Sequence, residues 1–328
     1  MKRTCLLTII LSLALFQAFP AHVAFQNENY NGAVMYNETA SYGGAVFARL
    51  SMKILRSPKK KGAQDVKAVL QLYRDDKRIE TAQFYFLNSR TKRLSTPEML
   101  AAVPVGTEVS TGADYSLKII FSAGIPGENA KELILPLTIK PEAENPDAGV
   151  AVPLEPVQNP GMTAERVTQQ QKLLDVIETV DENGIFSQKA FVLPLKNAVK
   201  ASSFAQKRSQ TYSSGTTRTI LTTGNEYQLP DNTEIFAVSD GRVRFAEFAG
   251  ANGWTVAIEH LPGLYSVYKN LGSLNVREGE SVRQGEKIAL SGSGQEKDAH
   301  PFLWEVRLNG AAVSPEFFLQ DFALTAAE

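Results

Sequence analysis

The stretch HPFLWEVRLNGAAVSP at residues 300–315 decides how the second half of the chain folds. In FLWEVRL, residues 302–308, side chains for two opposite faces alternate with the period of a β-strand. Glycines stand between this and earlier segments of the same kind, where tight turns need positive φ. The segments predict a strand-rich domain from residue 191 onward. The other strand candidates are Glu234–Val238, Arg242–Phe248, Thr255–Glu259, Tyr265–Tyr268 and Lys287–Ser291.

The first half of the chain shows the same period of two. Val46, Ala48, Leu50, Met52 and Ile54 alternate with other residues, as in a half-buried strand. Short strands separated by turn signals favour an antiparallel β-sandwich of immunoglobulin type over residues 25–140, a module for adhesion, spacing or docking. The remaining candidates are Val66–Leu72, Ile79–Phe86, Tyr115–Phe121 and Leu133–Ile139.

Residues 141–190 read as a Pro-rich linker followed by one helix. Five prolines between positions 141 and 160 favour an extended, semi-rigid spacer. Thr163 is placed to cap a helix that reaches about Val180, because apolar residues then recur at helical spacing. The fold class expected is therefore all-β, with two β domains joined by a linker and a helix.

The N-terminus has the pattern of an export signal. Lys2 and Arg3 precede an apolar run from Leu6 to Phe16, and small residues follow it. The run is shorter than the roughly 20 residues of a membrane span, although a retained anchor is the alternative. We assign residues 1–24 to a signal peptide, and expect a periplasmic or secreted protein with no membrane span after its removal.

Charge and cysteine content exclude several functions. The formal net charge is −1, and loss of Lys2 and Arg3 with the signal would take it to −3. The chain has no basic stripe interleaved with aromatic residues, so nucleic acid is not an expected partner. Cys5, the only cysteine, lies inside the predicted signal. The mature protein would have no disulfide, cysteine zinc site or cysteine nucleophile.

Five segments of the second half, taken in order, resemble the LytM/lysostaphin-type zinc peptidoglycan endopeptidases. The resemblance runs from about Phe191 to Phe318 and implies an antiparallel β domain with a duplicated hybrid motif, over residues 191–328. The segments are SSFAQKRSQTYSSG (202–215), TTGNEYQLPDNTEIFAVSDGRV (222–243), IEHLPGLYSVYKNL (258–271), VREGESVRQGEKIALSGSG (276–294) and HPFLWEVRLNGAAVSP (300–315).

The resemblance also implies where zinc would be held, and the ligands are missing there. Family members bind zinc through HxxxD and HxH motifs, and a YxHL histidine assists the attacking water. These positions carry Thr222 and Glu226, Pro301 and Leu303, and Asn270. Catalytic zinc needs three protein ligands, and only Glu226 of these is suited to that role. We expect no zinc, no other cofactor and no catalytic residues.

The three histidines do not replace the missing ligands. His22 lies within the predicted signal, and His260 occupies a position where the family often has a histidine that does not bind metal. His300 precedes the first HxH position by one residue, where a shift of register would bring it near the cleft. Even then it would lack companion ligands.

The period of two predicts what lines the empty cleft. If the second HxH position faces the cleft, then Leu303, Glu305 and Arg307 face it, and the residues between them point into the core. A neighbouring strand would contribute Tyr268 or Asn270. The candidate binding groove therefore comprises Glu226, Tyr268, Asn270, Leu303 and Glu305.

Three functions remain open from the sequence. The first is a non-catalytic envelope protein, a pseudoenzyme whose partner is peptidoglycan or a separate cell-wall hydrolase. The second is an active zinc endopeptidase with unorthodox ligands, and the third is a purely structural envelope protein. Function has to be decided by the site, because the fold alone does not determine it.

Overall fold

The computed structural model describes residues 20–55, 66–87, 96–107, 112–123, 129–140, 152–157, 163–212, 217–292 and 301–324. The chain divides into two compact units, an N-terminal one of residues 1–141 to which residues 323–328 also belong, and a C-terminal one of residues 142–322. Both are built of strands, which confirms the all-β prediction. Within the described ranges, no helix is long and apolar enough to cross a membrane.

The N-terminal unit is a β-sandwich. One antiparallel sheet has the order β1-β2-β4-β8-β7, the second has the order β10-β9-β5-β6, and β3 pairs with β11 in parallel. The strands are β1 (Ala21–Gln26), β2 (Tyr30–Tyr36), β3 (Thr39–Ser41), β4 (Ala45–Ile54), β5 (Lys67–Arg74), β6 (Lys77–Gln83), β7 (Tyr85–Phe86), β8 (Glu98–Pro104), β9 (Tyr115–Ser122), β10 (Lys131–Pro136) and β11 (Thr138–Lys140).

Apolar residues of both sheets fill the space between them. Leu50 of β4, Leu70 of β5 and Ile119 of β9 have no exposed surface and belong to one hydrophobic cluster. Each alternates along its strand with more exposed neighbours, as the period of two predicts. Burial of this apolar surface is the main stabilising contribution to the unit.

Strand β1 begins before the predicted end of the signal peptide. It pairs with β2 from Ala21 to Gln26, with His22 opposite Met35. The boundary predicted between residues 24 and 25 falls inside this strand. No strand was predicted before Val46, so β1, β2 and β3 were missed. The apolar run from Leu6 to Phe16 lies outside the described residues.

The C-terminal unit is organised around one large antiparallel sheet. Its strand order is β13-β16-β23-β20-β19-β18-β21, with β22 joining β20 to β17 and β24 beside β23. The strands are β12 (Val152–Val157), β13 (Lys200–Ser202), β14 (Lys207–Tyr212), β15 (Thr217–Leu221), β16 (Asn225–Tyr227), β17 (Glu234–Phe236), β18 (Gly241–Phe248), β19 (Trp254–Leu261), β20 (Leu264–Leu274), β21 (Ser281–Val282), β22 (Lys287–Ser291), β23 (Phe302–Leu308) and β24 (Ala311–Val313).

The predicted linker and helix include a strand and a shorter helix. Val152–Val157 forms β12, which pairs in parallel with β14, and β14 pairs with β15. An extended Pro-containing segment can add to a sheet edge in this way. Helix α1 spans Ala164–Ile177, and the Thr163 side chain caps it by accepting from Arg166 N–H. The helix ends about three residues earlier than predicted.

Helix α1 packs against the sheet through its last turns. Leu173 and Ile177 are buried in a cluster with Phe245 of β18 and Val267 of β20. Beyond the helix, Arg244 donates to Asp181 and to the fully buried Glu259. This pair of ion contacts holds the segment after the helix against the sheet.

A buried chain of hydrogen bonds crosses the core of this unit at His260. Its Nδ1 lies 2.8 Å from the Asp240 carbonyl oxygen, which can only accept, so Nδ1 carries the proton and Nε2 accepts from Ser266 Oγ at 2.8 Å. Tyr268 OH shares a hydrogen bond with Ser266 and accepts from Val238 N–H. Burial lowers the pKa of His260 to about 4, because a charged imidazolium is poorly solvated there.

We predict that acid weakens the C-terminal unit through His260. Because its folded pKa lies below that of the unfolded chain, its stabilising effect is complete above pH 6.5 and is lost as pH falls towards 4. At pH 4.5 this amounts to about 2–3 kcal/mol of unfolding free energy. Urea unfolding of the full chain at pH 7 and 4.5 checks it, and the fluorescence of both tryptophans reports on this unit.

The matched variant is His260→Gln, which keeps a polar side chain but does not titrate. Between pH 7 and 4.5 its unfolding free energy should fall by about 2–3 kcal/mol less than that of the wild type. Equal losses in both proteins would show that His260 is not the group responsible.

Candidate functional site

Strand pairing brings the former ligand positions together on three neighbouring strands. Glu226 of β16 is the partner of Leu303 in β23, and Leu303 is also the partner of Lys269 in β20. Directly paired residues of antiparallel strands point to the same side of a sheet. Glu226, Leu303 and Lys269 therefore form a row, and we call this side of the sheet the cleft face.

Glu226 is held by two side chains rather than left open. Its Oε2 accepts from Ser202 Oγ at 3.0 Å and forms an ion pair with Arg208 of β14. The two charged side chains are only 16% and 14% exposed. The one carboxylate suited to metal binding among the former ligand positions is thus neutralised by a cation.

Thr222 and Asn270 make hydrogen bonds to the backbone. Thr222 is buried, donates to the Ser203 carbonyl oxygen and accepts from Gln206 N–H, so it fastens the turn before β14. Asn270 donates through Nδ2 to the carbonyl oxygen of Pro301 at 2.9 Å. Its φ of 59° lies in the left-handed region, which asparagine tolerates better than most residues. Both polar side chains now have structural partners.

Glu305 is the centre of a buried charge cluster on the cleft face. Its Oε1 accepts from Lys269 Nζ at 2.8 Å and from Thr223 Oγ1. Its Oε2 accepts from Arg307 Nε at 2.9 Å and Nη2 at 2.7 Å. A carboxylate has about four acceptor sites, so Glu305 is saturated by these three side chains. Glu305 itself has no exposed surface.

The two sides of this cluster are unequally compensated. Burial raises the pKa of Glu305, but the Lys269 and Arg307 cations more than offset this effect and hold it below its usual value. Burial is the main cause of a lowered pKa at Lys269, repulsion from Arg307 adds to it, and the attraction of Glu305 does not fully offset the two effects. Glu305 has two cationic partners, Lys269 and Arg307, whereas Lys269 has Glu305 alone as an anionic partner among the described residues.

The backbone also approaches closely at this point. A Cβ atom on Gly224 would lie 2.2 Å from the carbonyl oxygen of Trp304. Only glycine allows the chain before β16 to lie this close to β23. That approach is what brings Thr223 within reach of Glu305.

Two members of the predicted groove, Tyr268 and Glu305, do not line it. Tyr268 is fully buried on the opposite side of the sheet, because it pairs with the core residue Trp304. Asn270 and Tyr268 were expected to share a face, but the left-handed backbone at Asn270 breaks the alternation. The Glu305 side chain faces the predicted side of the sheet but is fully buried. Glu226 and Leu303 remain partly exposed on the cleft face, and Asn270 lies beside it, also partly exposed.

No group of three His, Cys, Asp or Glu side chains suited to a metal ion occurs in the part of the chain that the structure describes. His260 is engaged in the core, His22 belongs to the other unit, and His300 lies outside the described residues. The residues present at the former ligand positions do not fit zinc, since Glu226 is paired and Leu303 cannot ligate.

Sequence reasoning missed Arg208, Thr223 and Lys269. The alternation in β23 correctly separated Leu303 and Glu305 from Trp304, but it carries no information on which residues lie across from them. Lys269 precedes Asn270 in the quoted segment, and only the register between β20 and β23 shows that it faces Leu303.

The geometry defines an antiparallel β domain in which Glu226, at one position where the resemblance places a zinc ligand, forms an ion pair with Arg208. Comparison with known proteins assigns this domain to a class. The model of peptidase family M23 matches residues 221–315. The Yersinia enterocolitica lipoprotein NlpD is 36% identical over 86 residues, which cover 26% of this chain and 88% of that sequence. The chain therefore belongs to peptidase family M23.

Other relatives match over a similar length. The murein hydrolase activator EnvC of Escherichia coli is 37% identical over 89 residues, covering 27% of this chain and 21% of EnvC. The DD-carboxypeptidase/endopeptidase Mpg of Neisseria meningitidis serogroup B is 35% identical over 95 residues, covering 29% and 22%. The chain thus spans about one fifth of the length of each of these two relatives.

A solved structure supports the fold over a longer part of the chain. It is the crystal structure of a Pseudomonas aeruginosa protein described as a peptidase M23. The TM-score is 0.50 at 17% identity, covering 77% of this chain and 88% of that one. At this identity the likeness concerns the fold alone.

We predict that Glu305 is required for the stability of the C-terminal unit. Glu305→Gln leaves Lys269 and Arg307 without their carboxylate in a buried site, which should cost about 3–5 kcal/mol of unfolding free energy. Urea unfolding followed by tryptophan fluorescence measures it. Glu247→Gln is the control, because it removes an exposed carboxylate that pairs with Lys172 and should cost less than about 1 kcal/mol. Similar costs for both variants would contradict the role given to Glu305.

Proposed function

We propose that this protein is an exported, non-catalytic member of its family that binds a separate cell-wall hydrolase and regulates it. The observation that carries the proposal is the content of the metal position, where Glu226 pairs with Arg208, Leu303 offers no ligand atom, and Asn270 and Thr222 are engaged with the backbone. Zinc chemistry needs an open ligand set, and binding does not.

The cleft face keeps the features of a docking surface. Leu303 is partly exposed between its cross-strand partners Glu226 and Lys269, and the strands around it are paired without interruption. The relative EnvC is named as a murein hydrolase activator, which supports a regulatory reading for this chain. Binding of peptidoglycan itself is the second ligand that such a surface would suit, and the assays below include it.

We predict that the purified protein holds no stoichiometric zinc and releases no muropeptides from purified cell wall. The reason is that three ligands would have to be found, and the side chains at the former positions are neutralised or apolar. Elemental analysis and wall digestion with and without EDTA test this. Near one equivalent of zinc together with EDTA-sensitive cleavage would instead establish an active endopeptidase, the activity for which the relative Mpg is named.

We predict that Leu303→Asp abolishes docking without unfolding the protein. A charge at the apolar centre of the cleft face should weaken an interface strongly, whereas substitutions at partly exposed sites usually change stability little. The protein is immobilised, envelope extract is passed over it, and the bound fraction is assayed for wall hydrolysis. Co-sedimentation with purified peptidoglycan is measured in parallel.

The control for this experiment is Leu319→Asp, which changes an apolar residue that is 37% exposed outside the cleft face. It should capture hydrolase activity as the wild type does. If the wild type captures neither activity nor peptidoglycan, or if Leu303→Asp binds as well as the control, the cleft face is not a docking site. A structural role in the envelope would then be favoured.

A further inference from the structure

The ion pairs around Leu303 contain more positive than negative charge. Their cations are Arg208, Lys269 and Arg307, and their carboxylates are Glu226 and Glu305. Each of these side chains is at most 16% exposed, so water compensates the difference poorly. The surplus is one positive charge in a largely buried setting.

The surplus is located at Lys269. Arg307 uses Nε and Nη2 on Glu305, and Arg208 uses Nη2 on Glu226. Lys269 donates once, to Glu305, and no second acceptor for its ammonium group occurs within the described ranges. An ammonium group has three donors, and the Lys269 side chain is only 9% exposed. Glu305 is saturated and has no further acceptor to offer it.

The surroundings of Lys269 suit one kind of occupant. Lys269 and Leu303 are direct partners on neighbouring strands, so an apolar side chain lies next to an ammonium group that has unused hydrogen-bond donors. An extended peptide presents alternate side chains on one face. A segment with an apolar residue and a carboxylate two positions apart would cover Leu303 and complete the charge around Lys269.

We propose that the cleft face recognises an acidic segment of its protein partner, with an Asp or Glu side chain accepted by the Lys269 ammonium group and an adjacent apolar side chain on Leu303. This inference rests on the proposed docking function and adds the chemistry of the ligand to it. The carboxylate supplies the negative charge that the buried cluster lacks. A charge-assisted hydrogen bond of this kind favours the acid over its amide.

The test is an NMR titration of the 15N-labelled full chain with three probes. The probes are Ac-Leu-Ala-Glu-NH2, the isosteric Ac-Leu-Ala-Gln-NH2, and Ac-Leu-Ala with a free C-terminal carboxylate. The glutamyl peptide should bind about tenfold more tightly than the glutaminyl peptide, as expected for one charge-assisted hydrogen bond. The shifts it causes should centre on β20 and β23.

Variants assign the preference to one residue. Lys269→Gln should bind both amidated peptides equally, and Lys269→Arg should keep the preference for the acid. Lys287→Gln is the matched control, because Lys287 also pairs with a glutamate but lies on β22 with its side chain 43% exposed. If Lys269→Gln does not fold, the relative affinities of the glutamyl and glutaminyl peptides for the wild type and for Lys269→Arg still test the inference.

The inference is overturned by equal binding of the amidated peptides, by no binding of either, or by a preference that survives in Lys269→Gln. Tighter binding of the free C-terminal carboxylate would also overturn it, in favour of a chain terminus such as that of a wall peptide. The outcome is separable from the proposed function. If hydrolase capture depends on Leu303 but the glutamyl peptide is not preferred, only the acidic ligand is refuted. If the glutamyl peptide is preferred but no hydrolase is captured, only the hydrolase partner is refuted.

Discussion

The saturated carboxylate of Glu305 ties three elements of the C-terminal unit together. It joins β20 and β23 through Lys269 and Arg307, and it joins the segment before β16 through Thr223. These are the elements that carry a zinc site in the family this domain resembles. A buried carboxylate is tolerated only when its partners surround it. Lys269, Arg307 and Thr223 are those partners here, so the three elements are held together at one buried point.

The backbone and the side chains of the cleft contribute differently to its character. The sheet order, the close approach at Gly224 and the pairing of Glu226 with Leu303 place side chains at the positions where the resemblance locates zinc ligands. Glu226 is ion-paired there, Thr222 and Asn270 hydrogen-bond to the backbone, and Leu303 is apolar and partly exposed. Charge and shape are the properties by which a surface of this kind would select a partner.

Much of the fold could be read from alternation and turn residues. The bounds of β22 and β23 were predicted as they are found, because turn residues flank them, Gly285 and Gly292 around β22 and Asn309-Gly310 after β23. Short polar strands such as β13 and β16 have no such pattern and were missed. In the site, alternation predicted which side of the sheet each side chain of β23 faces, but not how deeply it is buried. Glu305 was therefore expected to be accessible. Tyr268 was misplaced because a single left-handed residue, Asn270, interrupts the period of β20.

The pairing at Glu226 has a consequence for how the lineage of this protein can evolve. A histidine at position 270 would fit the left-handed backbone there reasonably well, since histidine is among the residues enriched in that region. Position 226 is different, because a metal bound there would compete with Arg208 and leave a buried guanidinium group unpaired. A substitution that makes position 226 a metal ligand is thus penalised before any metal can bind, whereas a histidine at position 270 is not. A zinc site in this cleft would therefore require coordinated changes at positions 226 and 208.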